Sequence, residues 1–279
     1  MRIGFVGLGR MGMAMTARLR AAGFALTAWN RTAREVPEDL AVVDSLRELV
    51  NESDVVFSML IDDAATMEVH ETMFGGEVSG KLFVEMGTMR LDTVARLAEM
   101  ANARAARFID APVVGTVAPA LQGKLMTLVG GDADIVDMLT PMLSAFSRRI
   151  VHCGPVGAGM AMKHCVNTVM SVYFAGLAEA VGAGAAAGLS LDQMLDVVLD
   201  TPAALPALAP KVDVIKGAEL PVAFSVAGAC KDMRVIAASG RTNGVPMPVT
   251  ESALASFTEV ANNGMADRDL AVVVQRYLR

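Results

Sequence analysis

Lys163 and Asn167 lie four residues apart in an apolar stretch that a glycine-rich turn opens, Gly154-Pro155-Val156-Gly157-Ala158-Gly159. On a helix, residues at that spacing stack on one face, so the ammonium and the amide reach the same spot. A lysine set among alanine, methionine and valine is partly desolvated. Its neutral form is then favoured, and it can trade protons near neutral pH as a general acid or base. Glycines in the preceding turn let backbone approach a flat ligand closely. The plainer alternative is a helix lysine that carries its charge to solvent along its aliphatic stem.

A second motif stands at the N-terminus. The apolar run Met1–Val6 reads as a buried strand; Gly7-Leu8-Gly9-Arg10-Met11-Gly12 follows at once, and Met13–Ala22 are helix formers. This is the dinucleotide fingerprint in its required context of strand, glycine turn and helix. Gly7 makes the turn, Gly9 lets the main chain meet a pyrophosphate, and Gly12 lets helix and strand pack. The anion would rest on the helix N-terminus. At the end of the next strand, Ala25–Asn30, an acid would grip the ribose of NAD; here stand Asn30, Arg31 and Thr32, with Arg34 behind them. An arginine pairs with a 2′-phosphate, so the cofactor expected is NADP(H).

With these blocks in view, the chain resembles the β-hydroxyacid dehydrogenase family, which includes 3-hydroxyisobutyrate dehydrogenase, tartronate semialdehyde reductase and relatives of 6-phosphogluconate dehydrogenase. Four blocks carry the likeness in order: Gly7–Gly12, Asp110-Ala111-Pro112-Val113-Val114-Gly115-Thr116, Gly154–Asn167 and Lys231-Asp232. The resemblance implies a hydride transfer between the nicotinamide cofactor and a small hydroxy acid or its semialdehyde or keto acid. It makes Lys163 the catalytic lysine and Asn167 the substrate-orienting amide, and it places Lys231 near nicotinamide and substrate. Thr88 matches a threonine at the nicotinamide end of the cofactor; as a plain structural element it would cap the helix Leu91–Asn102. Leu60, within Met59–Asp63, falls in the loop that covers the pyrophosphate. The second block departs from the family's common Asp-Ala-Pro-Val-Ser-Gly-Gly, because Val114 replaces the serine and Thr116 the last glycine. Val114, Gly115 and Thr116 are still expected to meet the substrate, through main-chain amides and the Thr116 hydroxyl. Two other readings stay open, an imine reductase-like enzyme acting on an uncharged or cyclic imine, and a non-catalytic NADP-binding interaction module.

The elements that must position these residues follow from pattern and length. Up to about residue 150, short β-rich runs alternate with helical stretches, which predicts an α/β fold: an N-terminal Rossmann doubly wound parallel sheet in a domain over residues 1–158. Expected strands are Arg2–Val6, Ala25–Asn30, Val55–Met59, Leu82–Glu85, Arg107–Ile109, Leu125–Val129 and Arg149–His152. Residues 159–279 read as an all-α C-terminal domain for substrate binding and dimerisation, joined by a long helix over Val166–Leu189. That stretch is long enough to cross a bilayer, but its apolarity rests largely on Ala and Gly with Asn167, Ser171 and Glu179 interspersed, so a buried helix is expected and no membrane. A net charge of −6 with no basic run argues against nucleic acid as a partner. Cys153, Cys165 and Cys230 form an odd set without framework spacing, which suits a cytoplasmic protein. His70, His152 and His164 show no ligand spacing, so no metal is expected. Met1 begins the first strand directly, and no cleavable leader is expected. The expected assembly is a homodimer or higher homo-oligomer.

Overall fold

The run Ile3–Val6 (IGFV) is buried at every position and forms β1, the strand on which the sheet is built. A computed structural model describes residues 1–278 of the chain. β1 pairs in parallel with β2 (Leu26–Trp29) on one side and β4 (Val55–Ser58) on the other; β2 pairs with β3 (Ala41–Val42), β4 with β5 (Leu82–Glu85), and β5 with β6 (Arg107–Asp110), all parallel. The order β3-β2-β1-β4-β5-β6 reverses direction between β1 and β4, the switch point where doubly wound sheets bind ligands. Helices α1 (Arg10–Ala21), α2 (Leu46–Glu52), α3 (Asp63–Phe74) and α4 (Leu91–Asn102) make the connections.

Alternate residues of each strand feed opposite cores, as the strand period of two requires. Phe5, Phe57 and Val84 pack on one face with Met15, Leu19 and Phe146. Val6, Val56 and Phe83 pack on the other with Leu49, Phe74 and Leu97. Burying each such side chain is worth roughly 1.5–3 kcal/mol.

The sheet is not all parallel, which corrects the expectation from sequence. β8 (Leu125–Gly130) runs antiparallel to β6, with Asp110 opposite Gly130, and antiparallel to the two-residue β7 (Val113–Val114). Between β6 and β8 the only helix is the five-residue α5 (Val117–Leu121). Without a full crossover helix the chain reverses instead of returning for a parallel strand. After α6 (Ala133–Leu143), β9 (Ser147–Gly154) pairs in parallel with β8. β3 and β7 are too short to give an alternation signal.

The long helix α7 runs Ala158–Ala186; it opens inside the glycine-rich turn, carries Lys163 and Asn167 as expected, and is continuous with the stretch from Val166. By length and composition it would also span a bilayer, with a mean hydropathy of 1.4 over its most apolar window, 33% of which is buried. The chain divides within α7 into two compact units, Met1–Lys163 and the part from His164 onward. The second unit is helical: α8 (Leu191–Leu199), α9 (Val212–Ile215), α10 (Val226–Thr242), α11 (Pro248–Val260) and a closing 3₁₀ segment, Leu270–Tyr277. Its core gathers Phe174, Val181, Met233, Phe257 and Val272 to Val274.

Candidate active site

Two glycines of the N-terminal motif admit no side chain. Gly7 sits at φ +95°, and a Cβ there would stand 2.4 Å from the Met59 carbonyl oxygen; one at Gly12 would stand 1.9 Å from the Gly7 carbonyl oxygen. At Gly9, by contrast, nothing lies within 4 Å of the added carbon. No side chain caps α1, whose N-cap is Gly9. Bare backbone at an open helix N-terminus is the cradle a pyrophosphate requires. Arg10, Met11 and Gly12 form the first turn of α1, so half of the fingerprint is already helix.

The turn after β2 is tied to this loop. Asn30 Oδ1 accepts the Leu8 N–H at 2.8 Å, and Asn30 Nδ2 donates to the Thr32 carbonyl at 2.7 Å. The Arg34 guanidinium donates to the Leu8 carbonyl. Leu8 itself is fully buried and contributes through its main chain. Gly7, Gly9, Asn30, Arg31, Thr32 and Leu60 line one cleft of about 180 Å³, together with Trp29, Met59, Ile61, Ala65 and Val69. Arg31 makes a 3.6 Å pair with Glu68, both side chains 68% exposed. A pair so exposed contributes little, so a phosphate can take over the guanidinium at small cost.

Below the loops that leave β4 and β5 lies a buried polar cluster that the sequence reading passed over. Glu85 is wholly buried; it accepts from the Ser58 hydroxyl and, at 2.7 Å, from the Gly87 N–H. Burial pushes its carboxyl up to about 7 despite those bonds. His70, also fully buried, donates from Nδ1 to the Thr66 carbonyl at 2.9 Å, which leaves the Nε2 lone pair facing Glu85 Oε2 at 3.9 Å with no hydrogen-bond partner. Desolvation holds the imidazole down to about 4. Thr88 lies three residues beyond Glu85; the N-cap position of α4 is Arg90, two residues further on, and Asp63 Oδ1 accepts from the Arg90 N–H at 2.8 Å and the Thr93 hydroxyl at 2.6 Å.

The loop expected to meet the substrate leaves β7. Val114 is half-buried, Gly115 is exposed at φ +126°, and Thr116 is the N-cap of α5 without using its side chain as a cap. Lys163 lies in the second turn of α7 and is 8% exposed, so its stem is packed away; the solvent-directed alternative does not describe it. Asn167, one turn on, is buried and donates from Nδ2 to Asp232 Oδ2 at 2.6 Å. Asp232 Oδ1 stands 2.6 Å from Lys231 Nζ. One carboxylate therefore holds both Asn167 and Lys231 in the second unit. It fixes the orientation of the amide and leaves the amide carbonyl to face elsewhere.

A glycine cradle at the switch point of a doubly wound sheet, with a packed lysine and an oriented amide on one helix, defines a dinucleotide-dependent oxidoreductase. Comparisons with known proteins give the family. Residues 2–154 match the NAD binding domain of 6-phosphogluconate dehydrogenase, and residues 157–277 match the NAD-binding domain of NADP-dependent 3-hydroxyisobutyrate dehydrogenase. Glyoxylate/succinic semialdehyde reductase 1 of Arabidopsis thaliana is 31% identical over 99% of this chain and 98% of its own length. An NAD-dependent L-serine dehydrogenase of Pseudomonas aeruginosa is 29% identical over 98% of this chain and 96% of its own. The 3-hydroxyisobutyrate dehydrogenase of Mycobacterium tuberculosis, solved with L-serine, superposes with a TM-score of 0.87 at 26% identity, covering 100% of this chain and 99% of that one. The chain belongs to the β-hydroxyacid dehydrogenase family, NAD(P)-dependent oxidoreductases that act on CH–OH groups.

Proposed function

We propose that the protein interconverts a small hydroxy acid and its semialdehyde or keto acid, using NADP(H), with Lys163 as general acid and base. The observation that carries this reading is Lys163 itself: packed, 8% exposed, and one helical turn ahead of an amide whose orientation is fixed. Gly7 to Gly12 would hold the pyrophosphate, with Leu60 over it and Thr88 toward the nicotinamide end. Arg31, on the rim of the cleft that Asn30 and Thr32 also line, supports a 2′-phosphate and hence NADP over NAD. The bound nicotinamide supplies or accepts the hydride. In the reducing direction the Lys163 ammonium gives its proton to the carbonyl oxygen as hydride reaches the carbon; in the oxidising direction neutral Lys163 takes the hydroxyl proton. Asn167 and Lys231 orient the substrate, and Gly115 and Thr116 hold its carboxylate through backbone N–H and hydroxyl.

Val114 favours a second reading, because it puts an apolar side chain where the family commonly has a hydroxyl: an uncharged carbonyl compound or a cyclic imine as substrate. The same test separates the two. Aldehyde acids, keto acids, matching aldehydes without the carboxylate and cyclic imines are assayed with NADPH and NADH, for wild type and Lys163→Ala. The proposal expects acids to be turned over best and the variant to lose about 10²–10⁴-fold in kcat with NADPH affinity retained. Near-normal turnover by Lys163→Ala would remove the assigned role, and preference for imines would install the second reading. Exposed Met162, Cys165 and Val169, spaced along one face of α7, support assembly of more than one copy. Three free thiols suit a reducing, cytoplasmic setting.

A further inference from the structure

Asp110 closes β6, and its side chain is fully buried. Its two oxygens do different work on the same helix end: Oδ1 accepts the Gly157 N–H at 2.6 Å, and Oδ2 accepts the Met160 N–H at 2.6 Å. These are among the N–H groups that a helix start leaves without a partner, and the helix dipole favours negative charge there. The surroundings are fitted to the carboxylate. A Cβ at Gly130 of β8 would stand 2.4 Å from Asp110 Oδ1 and 2.8 Å from the Gly159 nitrogen; one at Gly159 would stand 2.4 Å from the Leu128 carbonyl oxygen and 2.9 Å from Asp110 Oδ2. β6, β8 and the start of α7 thus close on one another with only backbone and this carboxylate between them. Lys163 follows Met160 by three residues, less than one turn. On the other side of Asp110 the chain passes through Ala111 and Pro112 into β7 and the loop at Val114 to Thr116.

We propose that Asp110 is a positioning residue for the proton transfer: by gripping the Gly157 and Met160 N–H groups it fixes the first turn of α7 to the root of the 113–116 loop, and so fixes Lys163 relative to the substrate-holding backbone. The assignment rests on Lys163 being the acid–base group. It needs a carboxylate specifically. An asparagine offers one acceptor and turns its amide N–H groups toward the second helix N–H, which pushes that corner of the turn away. Burial raises the carboxyl to about 6, with desolvation as the cause; the neighbouring titratable group is Cys153, whose thiol is itself raised by burial and by Asp110.

The experiment is a cycle of four proteins: wild type, Asp110→Asn, Lys163→Ala and the double variant, each assayed for kcat, KM and NADPH affinity on the best substrate of the panel above. Asp110→Asn should lower kcat roughly tenfold to a hundredfold, the scale of a misplacement near 1 Å, with NADPH affinity held within about twofold. The double variant should be no slower than Lys163→Ala, because the aspartate acts only through the lysine. Wild-type kcat in Asp110→Asn would overturn the proposal, as would a further loss in the double variant or a loss that falls on NADPH affinity instead. Full activity of Lys163→Ala would instead sink the acid–base reading, a separately visible outcome. If Asp110→Asn does not fold, Asp110→Ser, which keeps one acceptor and removes the buried charge, is read in the same way.

Discussion

Replacing Glu85 with glutamine should change how the stability of the fold depends on pH, and by an amount the structure sets. Glu85 is fully buried and its carboxyl is raised from 4.5 to about 7 by desolvation. Between those values the folded protein keeps a proton that the unfolded chain has released, so stability is greatest at low pH and falls as pH rises through that window. At about 1.4 kcal/mol for each pH unit of separation, the loss between about pH 5 and about pH 8 is roughly 2–3 kcal/mol. His70 contributes with the opposite sign. Its imidazole is held from 6.5 down to about 4, so the unfolded chain binds the extra proton and stability rises with pH through that range. The two slopes oppose each other in the wild type. Glutamine keeps the shape, and its carbonyl still accepts the Gly87 N–H, but nothing ionises; only the His70 slope remains. Urea unfolding of both proteins from about pH 5 to about pH 8 should show the variant gaining roughly 2–3 kcal/mol on the wild type across the range, with unchanged m-values. The His70 contribution is common to both proteins and drops out of the difference. Two parallel curves would refute the argument, since Glu85 would then carry the same charge at both ends of the range.

Three further outcomes follow from the site. Gly12→Ala forces a Cβ to within 1.9 Å of the Gly7 carbonyl oxygen, so the glycine turn must move; nucleotide binding, read from the fluorescence of the single tryptophan, Trp29, in the cleft, should weaken at least roughly tenfold, and unchanged binding would contradict the cradle. Arg31→Ala should weaken NADPH by about 1.5–3 kcal/mol, roughly tenfold to a hundredfold, and leave NADH nearly untouched; equal losses in paired titrations would place the arginine away from the 2′-phosphate. Thr116→Val should lower kcat/KM for an aldehyde acid roughly tenfold or more and spare the matching aldehyde without a carboxylate. An unaffected acid in that comparison would remove the carboxylate clamp.

What the sequence disclosed, and what it hid, divides along a physical line. Strand β5 (Leu82–Glu85) and helix α4 (Leu91–Asn102) were readable to the residue, because four apolar-rich residues after a charged turn and a strongly amphipathic dozen are local signals. The glycine turn was readable because backbone conformation and close packing both demand glycine there. β3 and β7 were not, being two residues each and defined only by partners far along the chain. Only the first two residues of α7, Ala158 and Gly159, were missed, because the stretch Gly154–Gly159 read as a turn. The N–H groups of Gly157 and Met160 at that helix start are instead satisfied by Asp110, forty-seven residues earlier than Gly157.

That last omission belongs to a pattern which only the register exposes. Ser58, Glu85 and Asp110 are the last residues of β4, β5 and β6, and they stand in register, Ser58 beside Glu85 and Glu85 beside Asp110. Strands paired in register point matched residues to the same face, so the three side chains form a row across the C-terminal edge of the parallel sheet. In sequence each is a polar residue ending a short strand, VVFS, LFVE and RFID, right after two or three apolar residues, and nothing local marks it as buried. In the fold each is at most 1% exposed, at the edge where ligand-holding loops depart. Ser58 and Glu85 bond to each other, Glu85 holds the Gly87 N–H before Thr88, and Asp110 holds the start of the Lys163 helix. Burying two carboxyls costs stability, as their raised values attest. An apolar edge would avoid that cost, but it would leave the departing loops and the α7 N-terminus without acceptors, and the groups that do the chemistry without fixed positions.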